Sequence, residues 1–250
     1  MEDKKKKRLT SWAVLVIALV FTTMGVLGFA LSRGILGDLN DEAAAQVMQD
    51  PGMGTAATVI LLLEMLSVAA VPLYAMLLVG SFKDGERVGK NLFGLLLLAV
   101  LSEIPFNLAM TGKVFNPVQQ NPVFALLLCE AILWVYNRYS EKGVLPIIMW
   151  ILATVAGAAA CIFLRLEHGL PLLLCTCLYW NFRTRPDSRT MVTVVGSVLC
   201  ILLNPVYFTA PLSVIAAHFY GGENSTKKYL PLYVSYPIMM LVCWGISFLV

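Results

Sequence analysis

Three carboxyls and two imidazoles are the groups in this sequence best able to do chemistry. Glu64, Glu103 and Glu130 each lie inside an apolar run, and His168 and His218 are the two histidines. An ionisable group at membrane depth is costly to keep, so each of these glutamates is a candidate functional group. Brought together, they would form an acidic pocket for a cation, an amine or a proton. Kept apart, they would be separate acids bonded to nearby hydroxyl or backbone groups. Imidazole titrates near neutral pH, so either histidine could act as a general base. His168 sits in Arg165-Leu166-Glu167-His168-Gly169, a short turn where Arg165 and Glu167 would most simply pair with each other or with headgroups. His218 sits in Ala216-Ala217-His218-Phe219-Tyr220. Neither has a visible dyad partner beside it.

The elements that must position these groups are membrane helices. The chain has 250 residues, of which 59% are hydrophobic and 13% charged, and its mean hydropathy is +0.79. A soluble domain carries about 25% charged residues. Continuous apolar runs of about 17–25 residues match the hydrocarbon thickness of a bilayer. A transmembrane barrel would instead read as short alternating segments. The fold class is therefore all-α, a polytopic transmembrane helix bundle. About nine membrane segments are predicted, at 11–31, 55–82, 91–110, 122–137, 144–164, 169–182, 190–203, 209–220 and 229–250. The sixth to eighth are short enough to be tilted or re-entrant. Residues 1–250 read as one integral membrane domain, with a basic N-terminus at 1–10 and an acidic extracytoplasmic loop at 32–54. A surface helix is predicted within that loop, over 41–48.

Charge orients the bundle. With the N-terminus in the cytoplasm, all of the 18 basic residues except Arg33, Lys113 and Arg165 fall on the inner side, as the positive-inside rule expects. The basic residues thus reflect topology and imply no nucleic-acid partner; the lipid bilayer is the partner expected. Arg189 and Lys227 both belong inside, so the chain between them must leave and return, turning at Asn204-Pro205. At about 1.5 Å per residue, this topology places Glu64, Glu103 and Glu130 roughly 10–13 Å below the outer ends of their helices, at one depth. Pro105 follows Glu103 closely enough for a kink to aim it. The six cysteines fall in apolar runs without metal-ligand spacing, so they read as small buried hydrophobes, and no metal site is expected.

More specific than hydropathy is the run Ser102-Glu103-Ile104-Pro105-Phe106-Asn107-Leu108-Ala109. It resembles the "SEIPFDLA" signature of the TraX family. Gln120-Asn121-Pro122-Val123-Phe124 is similar to that family's "QNVFF" segment, and Val71 to Val79 is similar to its "FPIFAFLLVEG" helix. Glu167-His168-Gly169 falls where the family has Asp-Tyr-Gly. Lys228-Tyr229-Leu230 and Tyr236-Pro237-Ile238 resemble its closing "KYLFYLFYPLHLL". The resemblance implies a multi-pass protein of the bacterial inner membrane, related to membrane acyltransferases. The family's named member N-acetylates F pilin during conjugation. What it implies here is transfer of an acetyl group from acetyl-CoA to an amine or hydroxyl of a peptide, pilin-like protein or envelope molecule, by a His-centred mechanism.

The departures from the pattern are concentrated at polar positions. Thr22 and Thr23 stand where the family's first helix has the Asp and His of "DHIG". Val68 replaces an arginine, Gly80 a glutamate, Met239 the histidine of "YPLHLL", and Asn107 an aspartate. Glu103, Gln120 and Asn121 are retained. The resemblance thus implies Glu103 as the central polar residue, Gln120 and Asn121 orienting substrate, and His168 or His218 as substitute base, with Glu64 and Glu130 as further candidate binding groups. Two alternatives stand beside it. One is a non-enzymatic assembly subunit holding a hydrophobic peptide, lipid or partner protein. The other is a small-solute transporter using the three glutamates.

Overall fold

A computed structural model describes residues 8–36, 51–82, 87–141, 143–222 and 230–249. The Lys4–Lys7 run, the acidic stretch with its predicted helix over 41–48, Lys83, Lys142, Lys227 and Lys228 lie outside the described residues. Within them every named element is helical. The helices are α1 (Ser11–Leu31), α2 (Pro51–Leu66), α3 (Ala70–Ser81), α4 (Arg87–Thr111), α5 (Pro122–Arg138), α6 (Val144–Phe163), α7 (Gly169–Asn181), α8 (Arg189–Leu203), α9 (Ser213–Phe219) and α10 (Leu230–Ile246).

Four helical stretches are long and apolar enough to cross a membrane: Ser11–Ile35, Gly52–Ser81, Val88–Thr111 and Val144–Phe163. Their outward faces confirm a non-aqueous solvent. On α6, Ile147, Ile148, Ile151, Leu152 and Val155 are all exposed, a continuous apolar surface that water would not tolerate. The chain is an all-α membrane protein.

Local chemistry explains the breaks. The predicted segment at 55–82 is two helices joined by a 3-10 turn at Ser67–Ala69. Pro72 lacks an N–H, and its ring would clash with the carbonyl four residues back, at Val68, so the α ladder is interrupted there. The loop predicted at 32–54 is shorter at both ends. Residues Ser32–Leu36 continue α1 as a π-helical turn, and α2 starts at Pro51, a residue suited to a first helical turn. At 204, the Asn204 side chain accepts from the Val206 N–H at 3.0 Å and starts a 3-10 segment, Pro205–Leu212, that leads into α9. The predicted turn is present, and the returning segment begins four residues earlier than its apolar run.

In the bundle, α1 packs on α2, α3 and α10, α4 on α5 and α10, and α7 on α3, α6 and α8. The α1–α2 crossing is close because of Gly28: a Cβ there would come within 2.8 Å of the Glu64 backbone nitrogen. Small residues at such crossings let helices approach without side chains between them. Arg33 departs from the charge rule for a local reason. Its Nη1 donates to the Leu108 and Ala109 carbonyls at 2.8 and 3.2 Å, capping the orphan carbonyls at the end of α4. Two buried clusters result. A large one joins α1, α3 and α5–α9, and a smaller one joins α1, α4 and α10.

Candidate functional site

Glu103 is fixed by two asparagines. Asn107, one turn later on α4, donates to Oε1 at 3.3 Å. Asn121 donates to Oε2 through its backbone N–H at 3.3 Å and its Nδ2 at 2.6 Å. The same Nδ2 donates to the Ala99 carbonyl at 2.9 Å, and Oδ1 caps α5 by accepting from the Val123 N–H at 2.9 Å. Asn121 is fully buried and both of its amide hydrogens are engaged. It joins α5 to α4, and as it stands it has no donor left for a substrate.

Gln120 does its structural work through its backbone. Its N–H donates to the Arg165 carbonyl at 3.1 Å, and its carbonyl accepts from the Glu167 N–H at 3.0 Å. This clasp shapes the turn between α6 and α7. Both Arg165 and His168 take left-handed backbone conformations there, with φ of 52° and 56°. For residues with a Cβ this costs about 1–2 kcal/mol each, and such strain persists only where surrounding structure imposes it.

The strained turn directs Glu167 and His168 inward. His168 Nδ1 lies 2.5 Å from the Tyr207 hydroxyl, and its Nε2 lies 3.7 Å from Glu167 Oε1. Tyr207 is carried by the Pro205–Leu212 segment, which is itself tied down where Thr209 donates to the Met65 carbonyl at 2.5 Å. The expected pairing of Arg165 with Glu167 does not occur. Arg165 is exposed, because the Gln120 clasp turns Glu167 the other way. Burial pushes the Glu167 carboxyl up to about 7 and the His168 imidazole down to about 4, since a low-dielectric site disfavours either charged form.

Both side chains line an apolar cavity of about 90 Å³ at the seam of the two buried clusters. Its few polar groups include Thr22, Tyr74 and Tyr236. Thr22 hydrogen-bonds the Tyr74 hydroxyl at 3.0 Å. The Tyr236 hydroxyl is buried with no hydrogen-bond partner among the described residues, and it stands within electrostatic range of Glu167, Tyr74 and Glu103. A buried hydroxyl left unpaired costs about 1–3 kcal/mol, which an acceptor entering the cavity would relieve. Thr23 and Met239, the two positions where the resemblance calls for histidine, touch: Oγ1 donates to Sδ at 2.6 Å. Their replacements form one contact.

The other candidates lie elsewhere. Glu130 accepts from Asn91 Nδ2 at 3.4 Å, and Asn91 is twelve positions before Glu103 on the same helix, roughly 18 Å along its axis. The equal-depth estimate fails because α5 starts below the surface, where Asn121 docks on Glu103. Glu64 packs against Gly28 of α1. No hydrogen bond or ion pair among the described residues joins the three glutamates. His218 is exposed at the opposite end of the bundle, 3.4 Å from the Thr190 hydroxyl. Sequence reasoning passed over Tyr207 and Tyr74 and gave Tyr236 no role. Asn204-Pro205, as a cap followed by a tyrosine, was the available signal for the first of these.

Comparison with known proteins agrees with the residues. No curated protein and no solved structure is detectably similar to the chain. A family model described as TraX protein matches residues 48–247, which takes in the Glu103 motif, the Gln120 clasp, His168 and Tyr236. The chain belongs to the TraX family.

Proposed function

We propose that this protein transfers an acyl group, from a thioester such as acetyl-CoA, to an amine or hydroxyl acceptor within the cavity beneath His168. The observation that carries the reading is that the one imidazole in the cavity is His168, held between Tyr207 and Glu167. It supplies a base in a chain whose two family histidine positions are Thr23 and Met239. An acceptor from the envelope or a pilin-like peptide and a bacterial inner-membrane location are part of this reading, which family membership supports, and a cytoplasmic N-terminus is supported by the distribution of basic residues.

The geometry supports the following roles. With its proton on Nδ1, donated to the Tyr207 oxygen, His168 keeps Nε2 as the acceptor of the nucleophile's proton. Glu167, 3.7 Å away, offsets the positive charge that forms. The unpartnered Tyr236 hydroxyl donates to the acyl carbonyl oxygen as it gains charge, the role of an oxyanion donor. A thioester supplies an activated carbonyl and a thiol leaving group. Glu103 and Asn121 act at one remove, by holding the clasp that aims His168.

The test uses membranes containing the full chain, radiolabelled acetyl-CoA and candidate peptide or envelope acceptors. Transfer that disappears in His168→Gln and persists in His218→Gln supports the reading. Folded wild-type protein that transfers nothing sinks it. Stable co-purification of a stoichiometric peptide or protein in that case would favour the assembly subunit, which the uncharged Thr23–Met239 contact also suits.

A further inference from the structure

We infer that the opposite end of the bundle carries a second binding pocket, one that takes a phosphate group. A polar cavity of about 240 Å³ opens where α3 and α7 end, α8 begins and the segment after α9 passes over them. Arg183, Ser188, Arg189, Tyr220 and Gly222 are in its wall. It is distinct from the His168 cavity: the 13 residues of α7 put roughly 20 Å between His168 and Arg183.

Both guanidiniums are pre-positioned by aromatic rings. Arg183 lies 3.8 Å over the Trp180 ring and donates one Nη1 bond to the Trp180 carbonyl at 3.0 Å. Arg189 lies 5.1 Å over the Tyr220 ring. Stacking uses the flat face of a guanidinium and leaves its in-plane N–H donors available. Among the described residues the one contact of a carboxylate with a basic nitrogen within 4 Å is Glu167 with His168, so no described carboxylate lies within that distance of either arginine. Arg189 also depends on a missing side chain. A Cβ on Gly222, where φ is +78°, would fall 2.6 Å from Nη2 and 2.7 Å from Nη1.

The chain enters α8 through a 3-10 turn, Pro186–Ser188, in which the Ser188 hydroxyl donates to the Arg185 carbonyl at 2.7 Å, so the donors of this pocket are the two arginines. Two guanidiniums set against rings suit an anion with several oxygens and more than one charge. That is a phosphate or diphosphate rather than a carboxylate. The phosphate could belong to a soluble phosphorylated ligand or to an anionic lipid headgroup.

The experiment uses the full chain in dodecyl maltoside, which carries no phosphate. Inorganic pyrophosphate, dispersed phosphatidylglycerol and phosphatidylcholine are titrated by calorimetry. Wild-type and His168→Gln protein are expected to bind pyrophosphate or phosphatidylglycerol with equal affinity. Arg189→Gln and Gly222→Ala are expected to bind at least tenfold more weakly. The glycine variant keeps every charge, so its loss would report the position of Arg189 and not net charge. Pyrophosphate binding identifies a soluble ligand, and binding of phosphatidylglycerol alone identifies a lipid headgroup. Binding of neither pyrophosphate nor phosphatidylglycerol, phosphatidylcholine binding as tight as that of phosphatidylglycerol, or equal binding by wild type and both variants overturns the inference. If Arg189→Gln does not elute as folded protein, Gly222→Ala and Arg183→Gln decide on the same criterion.

Discussion

The two ends of the bundle place their polar groups by opposite means. At the His168 end, all but the Tyr236 hydroxyl are held by other protein groups: Asn121 on Glu103, Gln120 on Arg165 and Glu167, Tyr207 on His168. At the Arg189 end, charged side chains rest on aromatic rings and keep donors facing a cavity. The first arrangement fixes geometry in a mostly apolar site, where a misplaced base would not work. The second leaves charge available to a ligand. A histidine occurs at each end, and their difference in burial teaches that residue type alone does not identify a base.

The largest effect that would break this contrast is catalytic. Loss of a positioned general base costs typically 10²–10⁴-fold in rate. His168→Gln should show a loss of that order in acetyl transfer, while His218→Gln should stay within about twofold. Equal losses would erase the distinction between the ends. Next comes stability. Asn121→Ala removes a helix cap, worth about 1 kcal/mol, and leaves buried partners unpaired at about 1–3 kcal/mol. Its thermal unfolding midpoint in detergent should fall clearly, whereas Asn91→Ala, losing a 3.4 Å contact, should fall far less.

A third effect is smaller and depends on pH. The folded-state value of Glu167 is raised to about 7, so its contribution to stability is complete below its unfolded value near 4.5 and is lost as pH rises through 7. That of His168 is lowered to about 4, so its contribution is complete above 6.5 and is lost as pH falls through 4. Between about 4.5 and 6.5 the two slopes oppose each other, and these groups leave the wild-type midpoint nearly flat. Glu167→Gln should unmask a midpoint that rises with pH across that window, and His168→Gln one that falls. Unfolding midpoints measured from pH 4 to 8 would show it, and parallel curves for all three proteins would contradict the buried pair. The smallest effect concerns the replaced histidines. Thr23→Ala and Met239→Leu share one contact, so their stability changes should be non-additive by about 0.5 kcal/mol or more, as read from a double-mutant cycle.

The membrane fold was legible in the sequence because hydrocarbon imposes it locally: apolar length, prolines and caps act over a few residues each. Ser11–Leu31 was read to its bounds, and Asn121-Pro122 and Asn204-Pro205 mark real helix starts. The family was legible as well, since SEIPFNLA is contiguous. The site was legible only in pieces. Glu103, Gln120, Asn121 and His168 were named, yet their relation was not, because a depth estimate assumes that helices begin at the membrane surface.

Only the tertiary structure decided which of these groups meet. The start of α5 is set by Asn121 reaching Ala99 and Glu103, and that shift carries Glu130 away from Glu103 toward Asn91. The clasp at Gln120 turns Glu167 and His168 inward, and a segment about forty residues later brings Tyr207 to meet them. These contacts join residues remote in sequence through directional hydrogen bonds. Composition and periodicity, which sense apolar burial without direction, determined the bundle and could not choose among the polar pairings inside it.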